Sequence, residues 1–124
     1  MKGKVSFDYD GTLTNPKVRE YARELIKRGY DVWIVTSRSN SPMARENKDL
    51  FETAKSVGIK IRNILFLPNG KEDIIVHSGF KFHLDDSIMV IKIINHSGDK
   101  GVLFAAWSDS WRNECESKLK WKKK

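Results

Sequence analysis

Short apolar runs alternate with amphipathic stretches along this chain, and that alternation restricts the fold more than any other feature. Residues 4–8 (KVSFD), 31–36 (DVWIVT), a run within 59–67, 80–84 and 101–107 read as strands. The second is almost wholly apolar and β-branched, as expected of a strand covered on both faces. Between the runs lie helix signals. Asn15-Pro16 reads as an N-cap followed by proline at the first helical position. Val18, Tyr21, Ala22, Leu25 and Ile26 then recur at three- and four-residue spacing until Gly29 stops the helix. Ser41-Pro42 opens a second helix whose stripe is Leu50, Phe51, Ala54 and Val57, with Gly58 as its end. Pro68-Asn69-Gly70 makes a turn, residues 71–78 a short helix, and 87–96 a helix despite its isoleucines. Residues 109–122 form a closing helix capped by Ser108 or Asp109. Strands alternating with helices require right-handed crossovers and parallel pairing. The expected fold is α/β: a three-layer, Rossmann-like domain around a mainly parallel sheet of five strands.

A length of 124 residues fits one domain and leaves no room for two cores. The single cysteine, Cys115, rules out an internal disulfide and suits a reducing, cytoplasmic setting. No apolar h-region follows the first lysines, and no apolar run approaches the roughly 18 residues that cross a bilayer, so no membrane association is expected. The net charge of +7 favours anionic partners such as nucleotides or nucleic acid. Part of the excess lies in residues 118–124, which read as a solvated basic end; Trp121 stacking on a base is the sharper alternative.

In an open parallel sheet, ligands bind at the carboxyl ends of the strands. The first strand ends in Asp8-Tyr9-Asp10-Gly11-Thr12, the second in Thr36-Ser37-Arg38, and the fourth in Asp85-Asp86-Ser87. Asp8, Asp10, Asp85 and Asp86 therefore converge on one edge. Carboxylates crowded together repel one another unless a cation sits among them. An all-oxygen set selects a hard cation, magnesium before calcium. Magnesium on one or two carboxylates with room for substrate phosphate points to chemistry on a phosphate ester. Arg38 reads as a clamp for a substrate phosphate or as an ordinary surface arginine. His77, His83 and His96 lack metal-ligand spacing and read as structural, and Trp33, Trp107 and Trp111 read as core or partly buried.

Asp8-Tyr9-Asp10-Gly11-Thr12, Thr36 after the second strand, a lysine, and then Asp85-Asp86 resemble the four ordered motifs of the haloacid dehalogenase superfamily, over residues 4–86. The resemblance implies a magnesium-dependent phosphatase without a cap domain. Asp8 would be the nucleophile that forms an aspartyl-phosphate. Asp10 would be the acid and base, with its backbone carbonyl also on the metal. Gly11 and Thr12 would shape the turn, and Thr36, with Ser37 and Arg38 beside it, would hold phosphoryl oxygens. Asp85 and Asp86 would complete the metal site. The phosphate-binding lysine would be Lys71, at the start of a short helix. Lys81 competes, because residues 81, 83 and 85 share one face of a strand, but it sits near the strand's opposite end.

No G-x-x-x-x-G-K-[ST] or G-x-G-x-x-G occurs, which excludes a P-loop kinase and a dinucleotide fingerprint. A response-regulator receiver domain would place its acids and lysine in a different order. Neither 14–30 nor 39–70 has room for a cap, so the site is expected to be open to bulky substrates. Open access and basic charge point to a nucleotide or a nucleic-acid end phosphate, with a weaker resemblance to the phosphatase half of polynucleotide kinase/3′-phosphatase enzymes. A sugar phosphate or other small metabolite is the alternative substrate, and a silent nucleic-acid-binding or regulatory module on the same fold is the alternative function.

Overall fold

Every strand pairing in the sheet is parallel, as the alternation of strand and helix demands. The structure, a computed structural model, describes residues 2–40 and 47–120. Its strands are β1 (Lys4–Phe7), β2 (Asp31–Thr36), β3 (Ile64–Phe66), β4 (Phe80–Asp85) and β5 (Gly101–Leu103). Its helices are α1 (Pro16–Lys27), α2 (Lys48–Val57), α3 (Glu72–His77), α4 (Ile88–His96) and α5 (Ser110–Lys120). The strand order is β3-β2-β1-β4-β5. The chain steps outward from β1 to β3, then returns to the other side of β1 and steps outward again. The reversal lies between β1 and β4, where an open α/β sheet forms its crevice.

Helices cover both faces. Val18, Tyr21 and Leu25 of α1, Leu50 and Ala54 of α2, and Trp111 and Cys115 of α5 pack with Val5, Phe7, Phe82 and Leu84. Ile75 of α3 and Ile94 of α4 pack with Val35 and Phe80 on the other side. β2 shows why its run is apolar throughout: Val32 and Ile34 serve one layer, Trp33 and Val35 the other. The first helix starts as its residues direct, with Asn15 Oδ1 accepting the Lys17 N–H at 2.9 Å and Pro16 next in line. Ser87 caps α4 in the same way, accepting the Val90 N–H at 3.3 Å.

Two expectations need correction. β5 ends at Leu103 rather than reaching residue 107, because its partner β4 ends at Asp85, opposite Leu103, and leaves nothing further to pair with. Trp107 therefore falls in a turn and is 90% exposed instead of packing in the core, whereas Trp111 is buried. Ser41-Pro42, Trp121 and residues 122–124 lie outside the described residues. Among the described residues, no helix is long and apolar enough to cross a membrane.

Candidate active site

The site is built where β1 and β4 end side by side. The Asp8 N–H donates to the Leu84 carbonyl at 2.9 Å, which ties the residue after β1 to the end of β4. The chain then turns sharply. Asp10 (φ −65°, ψ 125°) and Gly11 (φ 75°, ψ −1°) have the dihedrals of a type II turn, whose third position requires a positive φ. Gly11 is needed for a second reason, since a Cβ there would run into the Asp86 carboxylate. The turn and the residue after β4 thus touch only because position 11 has no side chain.

Lys71, just before α3, is buried and reaches across this junction. Its Nζ lies 2.7 Å from Asp8 Oδ1 and 2.7 Å from Asp85 Oδ2. Thr12 Oγ1 donates to Asp8 Oδ2 at 3.3 Å. Asp85 also receives His83 Nε2 at 2.8 Å and the Ser87 N–H at 3.0 Å. Asp8, Asp85 and Asp86 each bring a carboxylate oxygen within 4.8 Å of the others.

The charges do not balance. Burial, and next the charge of Asp85, push the Asp8 carboxyl up to about 7, more than Lys71 takes off. Burial acts upward on Asp85 too, but the His83 hydrogen bond and the Lys71 ammonium outweigh burial and hold this group below the usual carboxylate range. For Lys71, burial would lower the pKa, yet the two aspartates raise it, so it stays an ammonium. Among the described residues, three carboxylates crowd one ammonium, and when Asp8 is ionised the excess of negative charge is one that a divalent cation would offset. The donors are all oxygen, so the set fits a hard cation such as magnesium.

A second group sits beside this one. The Asp10 carboxylate is outside the three-acid cluster and is 58% exposed on its side chain. It accepts from Arg38 Nε at 2.9 Å and from Nη2 at 2.7 Å. The guanidinium also bonds Asp49 at 2.8 and 3.1 Å, and its Cζ lies 4.9 Å from the Tyr9 ring centre. Tyr9 in turn donates to Asp49 at 3.3 Å. Thr36 is buried and its hydroxyl accepts the Arg38 N–H at 3.1 Å, while Ser37 is exposed.

Asp8, Gly11, Thr12, Lys71, Asp85 and Asp86 are thus brought together, and Asp10, Arg38 and Thr36 are linked beside them, with Ser37 exposed just past β2. Lys81 is not part of the site; its side chain lies against Gly3 at the other end of β4. Sequence reasoning missed three residues: His83, Tyr9 and Asp49. Position 83 carried a signal, because residues two apart on a strand share a face, which sets His83 beside Asp85. Asp49 carried none, being joined to Asp10 only through the tertiary position of α2. No family model matches the chain, and no curated protein matches its sequence.

Proposed function

We propose that this chain is a magnesium-dependent phosphomonoester hydrolase of the haloacid dehalogenase type, working through an aspartyl-phosphate on Asp8. The observation that carries the reading is the buried Lys71 bridge between Asp8 and Asp85, with Asp86 alongside, at the reversal point of a parallel sheet. An Asp8 oxygen attacks phosphorus as the bond to the leaving oxygen breaks, and Asp10 delivers the proton that oxygen needs. Water then attacks the phosphorus of the acyl phosphate, Asp10 takes its proton, and inorganic phosphate departs with Asp8 restored. To reach the leaving oxygen Asp10 must release Arg38, and its exposure gives it the freedom to do so. Lys71 offsets charge on the nucleophile and on the transferring group. Magnesium held by Asp8, Asp85, Asp86 and the Asp10 carbonyl would supply further charge stabilisation at the phosphoryl oxygens.

The substrate we propose is a nucleotide or a nucleic-acid end phosphate. Supporting it are the net charge of +7 and the exposure of Asp10, Ser37 and Asp86 at the mouth of the site. Cys115, buried and without a disulfide, fits a reducing cytoplasm. Asp8→Asn tests the nucleophile. Magnesium-dependent hydrolysis of p-nitrophenyl phosphate is expected to vanish while the circular dichroism spectrum stays native; substantial residual turnover refutes the assignment.

A further inference from the structure

Beneath the acidic cluster runs a chain of hydrogen bonds that the proposed chemistry does not use. Ser6 Oγ lies 2.8 Å from His83 Nδ1, and His83 Nε2 lies 2.8 Å from Asp85 Oδ2. Ser6 and His83 are 0% exposed and Asp85 is 1% exposed. No substrate reaches Ser6, so the trio is not a hydrolytic triad in spite of its composition. We propose that His83 is a positioning residue that fixes Asp85 as a metal ligand, with Ser6 setting the ring that does so. This inference rests on the magnesium-site reading given above.

The direction of each bond follows from the groups themselves. An ionised Asp85 can only accept, so Nε2 of His83 carries the hydrogen. In a neutral ring Nδ1 is then the acceptor, and the Ser6 hydroxyl must donate to it. Oδ2 of Asp85 thus receives two donors, His83 Nε2 and Lys71 Nζ, each within 2.8 Å. Oδ1 has the Ser87 N–H at 3.0 Å and is the oxygen with more capacity left for a cation. With one oxygen occupied from below, the carboxylate cannot rotate without breaking both of those bonds.

A structural role alone explains the arrangement poorly. Two polar side chains inside the sheet cost desolvation that a pair of aliphatic residues would avoid. Their shortest hydrogen bonds, Ser6 to His83 and His83 to Asp85, recover that cost and end on Asp85, with the Phe82 carbonyl a longer second acceptor for Ser6 at 3.5 Å. The same logic holds at metal sites generally, where groups that orient the ligands affect metal affinity by about ten- to a hundred-fold.

Magnesium binding measured by titration calorimetry tests the proposal on the whole chain, with His83→Leu, His83→Gln and Ser6→Ala. His83→Leu is expected to weaken magnesium about ten- to a hundred-fold. The magnesium concentration for half-maximal activity should rise in step, with turnover at saturating magnesium largely kept. His83→Gln, whose amide N–H can stand in for Nε2–H, should recover most of the affinity. Ser6→Ala should cost less than His83→Leu and add nothing to it in the double variant. A folded His83→Leu that binds magnesium like wild type overturns the proposal, as does a His83→Gln no better than His83→Leu. Should His83→Leu fail to fold, Ser6→Ala carries the test, and an unchanged affinity there overturns it. A wild-type chain that binds no magnesium removes the metal site itself, an outcome distinct from an equal affinity in wild type and variant.

Discussion

Lys71 Nζ lies 2.7 Å from a carboxylate oxygen of both Asp8 and Asp85, and its side chain is 3% exposed. Removing one partner of a buried ion pair costs more than the pair itself contributes, because the remaining charge stays buried without compensation. Lys71→Ala strands two carboxylates. Asp8, already raised to about 7, can take up a proton and relieve part of the strain. The expected loss is therefore at the lower end of the usual range, about 3 kcal/mol in urea unfolding without metal. Magnesium should restore part of it. A variant as stable as wild type would show that Lys71 does not hold the site together. Lys71→Arg should not rescue, since a planar fork cannot replace a compact ammonium between two acids. At this scale the acids were legible in the sequence, because each stands at a strand end that periodicity locates, whereas Lys71 was marked out from Lys81 mainly by the family resemblance. The orientation of Asp10 was not. Its pairing with Arg38 and Asp49 depends on where α2 comes to lie, and no local pattern encodes that.

Elements repeat the lesson over longer distances. β2 and α1 were readable to within a residue because capping, periodicity and stop signals agree along each. The end of β5 was not, because a strand needs a neighbour and the apolar residues 101–107 outrun theirs. The closing helix is joined to α1 by a contact no pattern announces. Glu116 accepts the Tyr21 hydroxyl at 2.5 Å and two bonds from Arg28, at 3.0 and 3.1 Å. Burial acts upward on the Glu116 carboxyl, but the Arg28 hydrogen bonds outweigh it and the pKa falls below the usual 4.5. A folded-state pKa below the unfolded one gives stability that is present above the unfolded value and lost as pH falls. With the Glu116 side chain 28% exposed, solvent screens the effect. Glu116→Gln is therefore expected to cost about 1 kcal/mol at neutral pH. The gap from wild type should close as pH drops below about 4. Thermal unfolding across that range checks it, and a gap that stays constant would mean the carboxylate charge is not what joins the two helices.

Over the whole molecule, charge is divided unevenly. The net charge is +7, yet the site gathers Asp8, Asp10, Asp49, Asp85 and Asp86 at one edge of the sheet. An anionic substrate is repelled by that edge at short range and must be drawn in by lysines elsewhere or neutralised by the metal. These two routes respond differently to salt. Attraction by exposed lysines acts over distances comparable to the Debye length, about 8 Å at physiological ionic strength, and weakens as salt is added. Neutralisation by a partly buried cation is screened far less. If the basic surface guides nucleic acid to the site, kcat/KM for a 3′-phosphorylated oligonucleotide should fall steeply with added salt, because several phosphates contact several cations and each released counterion adds to the slope. The small ester p-nitrophenyl phosphate touches only the site and should show a shallow dependence. Measuring both at matched free magnesium separates the two routes. Parallel slopes would mean that the lysines contribute only general charge, and a small phosphate ester would then be the better substrate class for this site.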